Sequence, residues 1–136
     1  MNIPKVIDPN ELSGSLFVEK VKSLIKQQKC EWPLAQKNYS EIERIQKRSF
    51  EFDSFNIDIQ FNPGRITSST AKVDSKSIED RPCFLCTKNL PLRQRGLAYN
   101  DKYLVLVNPF PIFLEHFTIP TFDHRPQDIS RSFFDM

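Results

Sequence analysis

An α+β fold, an antiparallel sheet packed with helices, is the class this sequence predicts, and three observations carry it. Phe17, Val21, Leu24 and Ile25 recur at helical spacing; apolar and polar residues alternate between Phe50 and Phe61; Tyr103-Leu104-Val105-Leu106-Val107 is a short continuous apolar run. With 12 Phe and 10 Pro but only 3 Gly in 136 residues, the composition favours β-structure joined by stiff connections. The length is that of one domain, residues 1–136.

The elements follow in order. Asp8-Pro9-Asn10-Glu11 reads as a helix start. Asp8 caps, Pro9 suits the first helical position, and Glu11 stands where a capping-box carboxylate reaches back. The helix runs over 8–29 and serves packing. Ser40 to Ile45 predicts a second, shorter helix capped by Ser40. Phe50 and Phe52, then Phe55, Ile57, Ile59 and Phe61, form two alternating runs whose phase changes at Asp53-Ser54, as strands joined by a turn or bulge require. Asn62-Pro63-Gly64-Arg65 ends the second run with turn chemistry, and 68–80 is polar and irregular. Residues 103–107 predict a buried strand, and Phe117-Thr118-Ile119 its antiparallel neighbour, with Asn108-Pro109-Phe110-Pro111 turning between them. Asp128 caps a last helix carrying Ile129, Phe133 and Phe134.

Composition excludes several functions. Gly14, Gly64 and Gly96 stand too far apart for a Walker loop or a GxGxxG turn. Lys and Arg number 19 against 17 Asp and Glu, a net charge of +2, which gives no footprint for nucleic acid. No apolar run approaches the roughly 18 residues of a membrane span, and the N-terminus lacks a signal-peptide pattern. Three cysteines, two of them in Cys83-Phe84-Leu85-Cys86, suit a reducing cytoplasm in which the close pair binds metal or does redox work.

A two-residue gap lets both thiolates of a tight turn reach one zinc ion. The spacing alone also admits a redox pair or two core cysteines. His124 follows Cys86 after the expected hairpin, where the chain could return beside the cysteines, whereas His116 lies inside that hairpin and reads first as a packed histidine.

The ordered series Arg81-Pro82-Cys83-Phe84-Leu85-Cys86-Thr87-Lys88-Asn89, Val105 to Pro111, His116-Phe117-Thr118-Ile119-Pro120 and His124 resembles the amino-terminal half of the histidine-triad superfamily. The likeness is to the galactose-1-phosphate uridylyltransferase branch, with its dinucleotide phosphorylases and GDP-L-galactose phosphorylase. It spans about 61–128. The resemblance implies a histidine-triad-like half-fold whose sheet and zinc/nucleotide region covers 48–128, and a structural zinc on Cys83, Cys86 and His124, with Cys30 outside the site. Asn62-Pro63-Gly64-Arg65 resembles the segment that opens those proteins near the nucleotide phosphates. The family's nucleophilic histidine, in a His-x-His-x-His/Gln motif, has no match here. The resemblance therefore implies the substrate-holding half of a nucleotidyltransferase or nucleotide-sugar/dinucleotide phosphorylase, inactive alone. The alternative is a non-catalytic zinc-stapled nucleotide-binding or interaction module.

Within that frame Arg65 offers a planar fork to phosphate, Asn108 hydrogen-bonds a ribose or base, and Asn62, Asn89 and Gln94 are further contacts. Each also has a plain reading: Asn62 and Asn108 precede prolines and make turns, and Arg65 suits a solvated surface. Phe110, Pro111, Ile112 and Phe113 read as core ahead of a base pocket. The chain stops at Met136 within an apolar helix start, which reads as a portion of a longer protein or a chain that works with a second one. The expected partners are a nucleoside phosphate or nucleotide sugar, and a second copy in a homodimer or the chain supplying the missing half.

Overall fold

The computed structural model describes residues 14–125. The helix start at Asp8 to Glu11 and the last helix from Asp128 lie outside the described residues. Helix α1 spans Gly14–Glu31 and buries Leu24, Ile25 and Gln28 on one face. A single residue, Trp32, separates it from α2, Pro33–Ile42. Trp32 is extended (φ −105°, ψ 104°) because the residue before a proline is pushed out of the helical region, while Pro33 is preset for the first turn. α2 buries Ala35, Asn38, Tyr39 and Ile42, one stripe at helical spacing. The helix expected to start at Ser40 is corrected accordingly: Ser40 lies within α2 and its hydroxyl donates to the Lys37 carbonyl (2.8 Å).

Strands β1 (Gln46–Glu51) and β2 (Asn56–Phe61) pair antiparallel, Phe50 opposite Ile57 and Arg48 opposite Ile59, around a turn at Asp53-Ser54. The Phe52 N–H donates to the Phe55 carbonyl across that turn. This hairpin forms its own two-stranded sheet. The turn expected at Asn62 to Arg65 is a 3-10 turn at Pro63–Arg65, followed by α3 (Ile66–Ser69), and the stretch 68–80 expected to be irregular holds a short helix, α4 (Ser75–Glu79), capped by the Asp74 carboxylate on the Ser77 N–H.

A second sheet has the order β3-β4-β5: Gly96–Tyr99, Tyr103–Val107 and Phe117–Thr118, all antiparallel. The first of these strands was not legible in the sequence. It is short and opens on a glycine, which the packing requires: a Cβ on Gly96 would stand 2.8 Å from both Leu104 and Leu106. Asn100 and Asp101 turn the chain into β4 with left-handed φ of 49° and 48°, a conformation these two residue types tolerate. All five residues of β4 are buried. Leu97, Val105 and Val107 pack against Leu24, Ile25, Trp32, Ala35, Tyr39 and Ile42, so the core joins two helices to one sheet. The β1–β2 hairpin stands outside it, with Ile57, Ile59 and Phe61 45%, 55% and 64% exposed.

Candidate metal centre and loop clamp

Cys83 and Cys86 sit on a tight turn closed by the Cys86 N–H on the Cys83 carbonyl (3.3 Å), and Cys86 then leads into a 3-10 turn at Thr87–Asn89. The Asn89 amide donates to the Cys83 carbonyl (2.8 Å), tying the end of the 3-10 turn back to the first cysteine. His124 arrives from the other side of the chain. Beyond β5 the backbone stays paired with β4 through Leu104 N–H to Pro120 O and Phe122 N–H to Lys102 O, which carries the segment back toward the cysteines. His124 Nδ1 lies 3.2 Å from the Cys86 sulfur, and the ligand atoms of Cys83, Cys86 and His124 are all within 4.8 Å of one another. Cys30 is exposed on α1, outside this group.

Burial pushes the Cys83 thiol up. The Leu85 N–H, the Cys86 side chain and N–H, and Arg81 outweigh that and bring it below the ordinary thiol range. Cys86 is raised by its hydrogen bond to Cys83, then by burial and by charge on the Cys83 sulfur. Two thiols and an imidazole at this separation could hold a metal ion, and they are the donor set that zinc favours.

Two of the other assigned residues, Asn62 and Arg65, join further side chains on the backbone of 108–116. Asn38 donates to Pro109 O (2.7 Å), Arg65 Nη1 to Phe110 O (2.7 Å), Asn62 to Pro111 O (3.0 Å) and Gln60 to Ile112 O (3.2 Å). Four successive carbonyls thus take donors from α2, β2 and the turn after it. Lys29 adds a bond to Leu114 O (2.8 Å), and the Tyr39 hydroxyl one to His116 O (3.1 Å). Burial, eased by that bond, pushes the Tyr39 phenol up to about 12, so it is a donor across the physiological range. Within the loop, Asn108 accepts from the Phe110 N–H (2.9 Å) and donates to the Thr118 hydroxyl (3.1 Å). His116 Nδ1 accepts from the Ile112 N–H (3.2 Å), which fixes the neutral Nε2–H tautomer. Burial, then Arg65, lowers its pKa.

The structure thus brings Cys83, Cys86 and His124 together, with Asn89 bonded to the Cys83 carbonyl, and Asn62 and Arg65 together on the loop that Asn108 opens. Gln94 is buried and donates toward Val107 O (3.4 Å). Pro111 is buried, but Ile112 and Phe113 are 37% and 66% exposed, so the apolar loop is only partly core. Sequence reasoning missed Gln28, Asn38, Tyr39 and Gln60. The signal available for Asn38 was its place between Ala35 and Ile42 on an otherwise apolar stripe.

An α+β chain with a Cys-Cys-His group competent for metal, beside a loop clamped through its carbonyls, is the class of protein that fold and site define. The chain belongs to a family described as a domain of unknown function (DUF4922), whose model matches residues 24–136. No curated protein and no solved structure matches the chain.

Proposed function

We propose that this chain is the substrate-holding half of a nucleotidyltransferase or nucleotide-sugar/dinucleotide phosphorylase, stapled by a structural zinc on Cys83, Cys86 and His124 and working in the reducing cytoplasm. The observation that carries the reading is the meeting of Cys83 and Cys86 with a histidine 38 residues further on, within 4.8 Å. The zinc would tie the cysteine turn to the end of the β4–β5 ladder, with a fourth ligand from beyond the Cys83, Cys86 and His124 group. Arg65, with Nη1 spent on Phe110 O, keeps further N–H groups to face a phosphate. Fixed donors of this kind stabilise charge gathering on phosphoryl oxygens without reorganising. The nucleophilic histidine comes from a further part of the same protein or from a second chain, so these residues alone carry out no transfer.

The second reading, a non-catalytic nucleotide-binding or interaction module, is favoured by one observation: Asn62, Asn89 and Arg65 each donate to a backbone carbonyl and so also have scaffold work. Titration calorimetry of the protein with ADP, GDP and UDP tests the binding claim. We expect binding that weakens at least about tenfold, roughly 1.4 kcal/mol, in Arg65→Ala. No heat with any of the three contradicts it. Mass spectrometry after incubation with a nucleotide sugar separates the readings of the nucleophile, since a covalent adduct on His116 would overturn its absence from the chain.

Self-association as a twofold dimer completes the proposal. The β1–β2 hairpin turns Gln60 to the body and leaves Phe52, Phe55, Ile57, Ile59 and Phe61 exposed. At on the order of 100 Å² each, two such faces bury about 1,000 Å², the lower bound for a specific interface.

A further inference from the structure

Cys83 and Cys86 end a turn that holds its shape by its own hydrogen bonds. The Cys86 N–H closes it on the Cys83 carbonyl (3.3 Å), the Asn89 N–H donates to Cys86 O (2.8 Å), and the Asn89 amide donates to Cys83 O (2.8 Å). None of these bonds involves a sulfur or an imidazole, so the turn closes whether or not a metal is bound. An i to i+3 turn sets its end Cα atoms within about 7 Å, which is the reach of a disulfide. The two sulfurs lie within 4.8 Å of each other and are hydrogen-bonded to one another. Both cysteines are free and partly exposed, open to a small reagent. The third thiol, Cys30, stands on α1 outside this group.

We propose that Cys83 and Cys86 are a modification site: they close reversibly to a disulfide by exchange with a small-molecule disulfide such as oxidised glutathione, and the closure expels the metal. One protein sulfur attacks a sulfur of the glutathione disulfide, which forms a mixed disulfide and releases the first glutathione. The second protein sulfur attacks the protein-bound sulfur of that mixed disulfide, which forms the Cys83–Cys86 bond and releases the second glutathione. The protein sulfurs are oxidised, the glutathione disulfide is reduced to two thiols that take up two protons, and the metal leaves as its dication because a disulfide offers it no thiolate. Oxidation thereby unties the cysteine turn from the end of the β4–β5 ladder. Among the described residues, the His124 ring has no hydrogen-bonding partner other than the Cys86 sulfur, so nothing else holds that join.

The expulsion step rests on the zinc-staple reading, whereas the disulfide itself does not. The test treats the zinc-loaded and the metal-free protein in parallel with excess oxidised glutathione, reading released zinc with a chromogenic chelator and sulfur linkage by mass spectrometry of unreduced peptides. We expect a Cys83–Cys86 link in both arms, about 2 Da lighter than the dithiol, and release of the bound zinc in the loaded arm, both reversed by dithiothreitol. Cys30→Ser should behave as the wild type, and Cys86→Ser should form no link. A metal-free protein that yields only mixed glutathione adducts, or a loaded protein that keeps its zinc and its reduced pair, overturns the inference and leaves the staple standing. Zinc that never binds while the link forms overturns the staple and the expulsion step together.

Discussion

Gln28 has no exposed surface and spends both ends of its side chain on one segment, donating to Arg93 O (3.2 Å) and accepting from the Arg95 N–H (2.9 Å). Gln28→Leu keeps the volume but orphans a carbonyl and an N–H in the interior, at about 1–3 kcal/mol for each group left unmade. Denaturant unfolding should show a loss of about 2 kcal/mol or more, whereas a change within 0.5 kcal/mol, typical of surface sites, would mean that water replaces both bonds. His116 gives a pH dependence of defined sign. Its pKa is depressed in the folded state, by burial first and Arg65 second, so between the folded and unfolded values the unfolded chain binds more protons. Stability is therefore fully present above about pH 6.5, the unfolded value, and falls as pH drops below it through the folded pKa. Protonation also costs the bond from the Ile112 N–H. In His116→Gln the slope between about pH 7 and 5 should flatten; an unchanged slope would place that dependence on other groups.

At the scale of the element, the alternating run that predicts β1 and β2 is correct about pairing and misleading about burial. Period-two alternation reports that one face is apolar, not what covers it. Phe52 and Phe55 stack at the hairpin tip with ring centroids 4.8 Å apart, yet both are more than half exposed. The double substitution Ile57→Thr and Ile59→Thr should thus leave monomer stability nearly unchanged, within about 0.5 kcal/mol, because no core packing is lost. In light scattering across micromolar concentrations the same variant should stay monomeric where the wild type dimerises. A monomeric wild type would count against the dimer and against a missing half. Residues 103–107 were fully legible because five apolar residues in a row have few alternatives to a central strand. β3 and the start of α2 were not, since Gly96 is chosen by contact with Leu104 and Leu106, and the stripe on α2 includes the polar Asn38.

For the molecule as a whole, chemistry-bearing residues far apart in sequence are gathered by one sheet. β4 takes β5 as its neighbour, and the paired chain beyond β5 returns His124 to the cysteine turn. That meeting was legible through the family resemblance, which implies His124 as the third ligand, since the Cys83 and Cys86 spacing alone also admits a redox pair or two core cysteines. The clamp on 108–116 was hidden, because carbonyl acceptors carry no side-chain signature and its donors sit on α1, α2, β2 and the turn after it. No helix of the described residues is long and apolar enough to cross a membrane. The central claim, a metal staple of two thiolates and one imidazole, is tested most directly by titrating the reduced protein with cobalt(II). The account predicts thiolate-to-cobalt charge-transfer absorption that saturates at about one equivalent, is displaced by zinc, and is lost in Cys83→Ser with Cys86→Ser. Cobalt bound without that absorption, or equal absorption in the wild type and the double variant, would contradict it.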